Sequence, residues 1–293
     1  MTEDSTEDNF DPTAPTPLDR NKSDANEPYR MCAPGYTRMR MTVSYDGTDF
    51  AGWQRQAQPH LLTCQGSLEK AISTIAGEFV RVLGASRTDA GVHAIGQTAH
   101  FDFPKNPENF DFQYSIQCLT PKTLVVKELF IAPRDFHAIA LVTDKVYKYR
   151  VLNRRVPSAL RRHFTYWVRH QLDLDYLNEA SQFVLGQQDF AAFQSQGTIV
   201  KTTVRTVKEA YWSRIDDDTL EFTIRGDGFL KQMVRNIVGT LIDLNQDRLP
   251  ALKVREILET GDRRKAGPTA PAQGLFLNKV NYPESIDNGC RKL

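Results

Sequence analysis

The feature that most restricts this chain is an irregular succession of two hydrophobic periods. Met39, Met41, Val43 and Tyr45 alternate with Arg40, Thr42 and Ser44, the spacing of a strand that buries one face. Over residues 65–77 the period changes, and Leu68, Ala71, Ile72 and Ile75 recur as on one side of a helix. A short strand is expected over 79–83, a polar loop over 84–91 and a strand over 98–103. The rhythm then repeats. A strand is expected at 146–152, and a helix at 173–185 with Leu177, Ala180 and Val184 on one face. Residues 204–214 and 220–225 read as a hairpin turning at Asp216, Asp217 and Asp218. Leu230, Met233, Val234, Ile237, Val238, Leu241 and Ile242 form the strongest amphipathic stripe, and residues 275–280 close with a strand. Strict strand–helix–strand alternation is missing. The pattern therefore predicts an α+β fold, two similar halves (36–144 and 145–283) around a largely antiparallel central sheet, with 284–293 as a C-terminal tail.

Charge divides the chain unevenly. Residues 1–30 hold eight acids and three bases, net −5, which leaves 34 bases and 28 acids, net +6, in the body. The segment 1–35 is rich in Asp, Glu, Thr, Pro and Asn and poor in large apolar residues, so it reads as a disordered acidic tail. A basic body suits a polyanionic partner, though many enzymes that bind no nucleic acid share this balance. Cys32, Cys64, Cys118 and Cys290 are scattered, without the paired spacing of a zinc site, as expected of reduced thiols. No apolar run approaches the roughly 18 residues of a membrane span, and the N-terminus is acidic where a targeting peptide is basic. The expectation is a soluble cytoplasmic protein.

Between two apolar strands lies Ala85-Ser86-Arg87-Thr88-Asp89-Ala90-Gly91-Val92-His93. A carboxylate on a tight loop beside cations can stay ionised and act as nucleophile or base. The same residues also suit a simple Asx turn that caps the loop.

The spelling of this loop, preceded by VSYDGTDFAGWQRQ and a Gln-Gly-Ser-Leu-Glu helix start, resembles the TruA-type tRNA pseudouridine synthases. The similarity continues in order. Phe136-His137-Ala138 precedes Tyr147 in VYKYRV, followed by Gly228-Phe229-Leu230, Met233 to Gly239, and Gln273 to Leu277 with Val280 and Tyr282. It spans residues 38–282, and several long motifs in order are far more specific than one short motif. The resemblance implies the pseudouridine synthase fold and an isomerisation that breaks the N1–C1′ bond of a uridine, turns the uracil and rejoins it through C5, with no cofactor and no metal. It implies a tRNA substrate, the anticodon stem-loop (positions 38 to 40) as target, and a homodimer.

Five residues take roles from the resemblance. Asp89 matches the catalytic aspartate, as nucleophile or as base. Arg235 matches its basic partner, which favours the carboxylate form; a solvated helix arginine is the alternative. Tyr147 matches the active-site tyrosine, able to stack on uracil and move a proton, or else a half-buried strand residue. Arg87 matches the arginine that fills the place of the flipped nucleotide. Leu275 is expected to line the uracil pocket or to serve as core. His93 and His137 look structural from their motif positions. Ile139 stands where the family usually has arginine, and Leu141-Val142 where it has Ser-Ala, which puts a contact to RNA in question. Two other readings are a catalytically silent RNA-binding module and a hydrolase pairing Asp46 or Asp49 with Asp89. The presence of Asp89, Tyr147 and Arg235 together argues against the first, and the turn-like setting of Asp46 and Asp49 against the second.

Overall fold

The computed structural model describes residues 31–58, 60–197 and 200–293, so most of the expected acidic tail lies outside the described residues. The chain runs β1 (Thr37–Tyr45), α1 (Cys64–Ala76), β2 (Leu83–Gly84), β3 (His93–Phe103), α2 (Phe112–Leu119) and β4 (Leu124–Ile131). It continues with β5 (Asp144–Asn153), β6 (Tyr166–Val168), α3 (Leu174–Gln182), β7 (Gly186–Asp189), β8 (Val204–Asp216) and β9 (Thr219–Gly226). The last elements are α4 (Met233–Gln246), α5 (Lys253–Thr260), β10 (Leu275–Asn281), α6 (Glu284–Asn288) and β11 (Arg291–Lys292).

One sheet collects the strands in the order β11-β4-β1-β3-β10-β5-β9-β8-β7, with β2 added to β3 and β6 to β5. Pairing is antiparallel except for β10 on β3 and β6 on β5. This is the α+β architecture with a mostly antiparallel sheet that the hydrophobic periods predict. Strands of 37–131 form one side and strands of 144–226 the other. Strand β10, late in the sequence, inserts between β3 and β5 and joins them. Residues 284–293 fold back, and Arg291 and Lys292 pair with Ile131 and Phe130 of β4.

The expected strand at 79–83 shrinks to Leu83–Gly84, for a local reason. Helix α1 answers the backbone instead. Ser73 Oγ accepts from Val80 N–H at 2.9 Å, Glu69 from Val82 N–H at 3.2 Å, and the Gln65 amide donates to Val82 O at 2.9 Å. Val80 and Val82 still bury their side chains. The helix expected at 173–185 keeps Asp173 as its cap, accepting from the N–H groups of Asp175 and Tyr176. Helix α4 starts at Met233 rather than Leu230 because Gln232 takes the left-handed conformation, φ 59°, an uncommon choice for a side chain with a Cβ.

Candidate active site

The loop between β2 and β3 is fixed from three sides. Gln97 on β3 brackets Ser86, accepting from its N–H at 3.3 Å and donating to its carbonyl at 2.6 Å. Tyr45 at the end of β1 bonds Thr88 Oγ1 at 2.8 Å, and Trp53 N–H donates to Thr88 O at 3.1 Å. Gly52, at φ +99°, makes this close approach possible, because a Cβ there would stand 2.7 Å from Thr88 O. The sequence motif 45–56 is thus a cradle for the loop, and its two aspartates do not face the chemistry. Asp46 caps its own turn, accepting from Thr48 N–H and Oγ1 at 3.0 and 2.6 Å, and Asp49 is exposed. Neither lines the cavity with Asp89, so the two-carboxylate hydrolase arrangement is not built.

Helix α4 brings the partner across 146 residues of sequence. Arg235 Nη1 donates to Asp89 Oδ2 at 3.0 Å, and Arg235 Nε to Ala270 O at 2.8 Å. Ala270 N–H returns a bond to Arg235 O at 3.1 Å, so the arginine is clamped at both ends. The segment 267–270 lies close to α4 because Gly239 has no Cβ to strike the Pro268 carbonyl. Asn236, fully buried, adds a second tie, with its amide on Phe193 O at 2.7 Å and its oxygen receiving Thr269 and Arg263. Arg235 is largely buried, whereas the Asp89 side chain keeps 33% of its surface exposed.

Beside this pair opens a cavity of about 470 Å³, within the roughly 300–1,000 Å³ range of small-molecule sites. Asp89, Arg87, Tyr147 and Leu275 all line it, and Arg235 reaches Asp89 from its edge. Tyr147 projects from β5, bonds Ser86 Oγ at 2.7 Å and meets Phe229 edge-on at 5.1 Å. Burial pushes its phenol up to about 12, opposed by the Ser86 bond and aided by the nearby Asp89 charge, so it is protonated at neutral pH. His93 and His137 do not line the cavity. His93 Nδ1 accepts from Gly47 N–H at 2.9 Å, which leaves Nε2–H to donate to His163 O at 2.8 Å. His137 Nδ1 accepts from the N–H groups of Ile139 and Ala140, both at 3.2 Å.

Several wall residues were given no site role from the sequence: Ser86 and Phe229, although both lie in quoted motifs, and Lys145, Arg205 and Lys231. For Lys145 a signal existed, since it stands two residues before Tyr147 and so shares its sheet face. Ile139 also lines the cavity. Arg87, Lys145, Arg205 and Lys231 stand around the same space. The arrangement offers one carboxylate held by an arginine, one protonated phenol, apolar walls suited to a flat ring and a rim of basic side chains.

A family model described as tRNA pseudouridine synthase matches residues 41–117 and 180–283. The chain belongs to the tRNA pseudouridine synthase family of isomerases. It is 44% identical over 260 residues to a tRNA pseudouridine synthase A of Bdellovibrio bacteriovorus, covering 88% of this chain and 99% of that protein. It is 42% identical to a tRNA pseudouridine synthase A of Acetivibrio thermocellus, over 83% of this chain and 99% of the relative. A tRNA pseudouridine synthase A of Lactococcus lactis is 37% identical over 86% of this chain. Among the described residues no helix is long and apolar enough to cross a membrane, and no group of three or more His, Cys, Asp or Glu is placed to hold a metal ion.

Proposed function

We propose that this chain converts uridine to pseudouridine in tRNA, with Asp89 as the catalytic carboxylate. The observation that carries the reading is the Asp89–Arg235 pair at the edge of a cavity walled by Tyr147 and Leu275. Arg235 holds one carboxylate oxygen and leaves the other directed to the space where a ribose would lie. Tyr147 and Leu275 form the walls for the uracil ring, and the Tyr147 hydroxyl moves a proton. Extruding a uridine from a stem costs on the order of a few kcal/mol, and exposed Arg87, at the mouth, offsets it by filling the vacated stack. The positive rim receives the flanking phosphates. The target is the anticodon stem-loop at positions 38 to 40, and the enzyme acts as a cytoplasmic homodimer.

The test is incubation of the pure protein with an unmodified tRNA transcript, followed by nucleoside analysis and position mapping. Pseudouridine at positions 38 to 40 is the expected outcome. Free uracil would mean hydrolysis, and unchanged uridine with tight binding would mean a silent RNA-binding protein.

A further inference from the structure

Lys145 and Tyr147 emerge from the same face of β5 into the cavity. Lys145 has no carboxylate partner among the described residues. Its Nζ donates instead to Ala85 O at 2.8 Å and lies 3.4 Å from Ser86 Oγ. Ser86 Oγ in turn lies 2.7 Å from Tyr147 Oη. Because Gln97 holds both the N–H and the carbonyl of Ser86, the hydroxyl keeps its place in this chain. A continuous hydrogen-bond path therefore runs from Lys145 through Ser86 to Tyr147.

A hydroxyl carries one proton, so the direction of donation at one end of the path sets it at the other. An ammonium at Lys145 donates to Ser86. The Ser86 proton then points to Tyr147, and the Tyr147 proton points into the cavity. A neutral amine at Lys145 accepts from Ser86, Ser86 accepts from Tyr147, and a lone pair of Tyr147 faces the cavity. Only the second arrangement can take a proton from a base held there.

We propose that Lys145 is a positioning residue that, acting through Ser86, aims Tyr147 to receive the proton leaving C5 of uracil. The inference rests on the proposed placement of Tyr147 against the base. In this step C5 has already bonded to C1′. The C5–H bond breaks and its electron pair forms the C5–C6 double bond, while N1, freed from C1′, takes a proton from water. Tyr147 accepts the C5 proton as its own passes to Ser86 and the Ser86 proton passes to Nζ. The resulting ammonium returns a proton to water in the cavity, so the isomerisation is proton-neutral overall. Burial and the facing Arg205 guanidinium push the Lys145 ammonium down to about 8, which keeps the neutral form accessible. The other charged or titratable groups around the same space are Tyr147 on its own strand, Asp89 and Arg87 on the loop, and Lys231 before α4.

The experiment uses full-length enzyme and tRNA carrying hydrogen, deuterium or tritium at uridine C5, under single turnover. At saturating tRNA, Lys145→Met should slow tritium release about 100-fold and enlarge the C5 isotope effect. Lys145→Arg should be equally slow, because a guanidinium restores the tether but is never neutral. Ser86→Ala should match them. The wild-type rate should climb with pH to about 8 and then level, and both Lys145 variants should lose that climb. A wild-type rate in Lys145→Arg, or slow variants with no enlarged isotope effect, would overturn the proposal. Tyr147→Phe separates the two readings. If it releases tritium at the wild-type rate, the placement of Tyr147 fails. If it is slow while both Lys145 variants are fast, only the role of Lys145 fails.

Discussion

Asp144 on the sheet and Asp89 on the loop before β3 are both held by arginine, and the two are bonded differently. Asp144, at the start of β5, is 2% exposed and has every acceptor position used. Arg225 donates to both oxygens at 2.9 and 3.0 Å, Lys208 to one at 3.0 Å and Asn281 to the other at 2.6 Å. Burial alone would raise this carboxyl, but Arg225, Asn281 and Lys208 outweigh it and hold it well below the usual range. Asp89 has one arginine on one oxygen, and no described residue hydrogen-bonds Oδ1. A saturated carboxylate ties β5, β8, β9 and β10 together and has no capacity left for a substrate. A half-satisfied carboxylate beside a cavity is oriented by one bond and has its other oxygen unbonded by any described residue, as the proposed catalytic role requires.

The comparison breaks most easily at Asp89 itself. Asp89→Asn keeps shape and loses the charge, and is expected to lower single-turnover pseudouridine formation by at least about 1,000-fold. Filter binding of tRNA should stay within about threefold. Arg235→Met comes next, with a loss of about 100-fold in rate at saturating tRNA. Lys231→Met, which removes a cation of the same cavity with no tie to Asp89, should lose far less. Equal losses in the two, arising only through weaker binding, would contradict the pairing.

At Asp144 the expected loss is stability rather than rate. Asp144→Ala strands three donors and should cost about 3 kcal/mol in denaturant unfolding, while kcat of the folded protein stays within about threefold. The sign with pH follows from the depressed carboxyl. The unfolded chain binds the proton first, so the contribution of Asp144 is complete above its ordinary value of 3.8 and fades as pH falls below it. The variant should lose that part of the acid dependence.

The smallest effect is expected from residues 1–30. Removing a segment of net −5 from a body of net +6 should leave turnover unchanged and, at low salt, strengthen tRNA binding slightly. Affinity titrations of both forms across a salt series check this. A truncated protein that binds more weakly at every salt concentration would mean that the segment contacts RNA or the body.

Much of the fold is legible in the sequence. Period-two alternation placed β1 and the second half of β3, and β5, β8, β9 and β10 were expected as strands, although β9 turns out buried on both faces. The stripe of α4 was equally plain. The order of strands was not, since β10 joins β3 through only two paired positions, Phe276 with His93 and Leu277 with Ala94, which no local pattern encodes. Helix α2, strand β4 and helix α5 went unremarked. They are eight residues each, and α2 presents only Phe112 and Ile116 as buried positions. The loop residues Arg87 and Asp89, with Tyr147, Arg235 and Leu275, were chosen through motif spelling rather than period, and they come together around one cavity. Ser86 and Lys145 were given no role because the contact that joins them runs between β5 and a loop some 60 residues earlier. Arg205 was missed for a similar reason: it bonds its own neighbours Thr202 and Val204, as a turn arginine does, and reaches the cavity only in three dimensions.

The central claim is that Asp89 turns this cavity into a uridine isomerase. It is tested most directly by mapping pseudouridine in tRNA from cells that lack the protein, complemented with either the wild-type chain or Asp89→Asn. The expected result is that pseudouridine at positions 38 to 40 disappears on deletion, returns with the wild-type chain and stays absent with Asp89→Asn expressed at equal level. Restoration of those pseudouridines by Asp89→Asn would contradict the account.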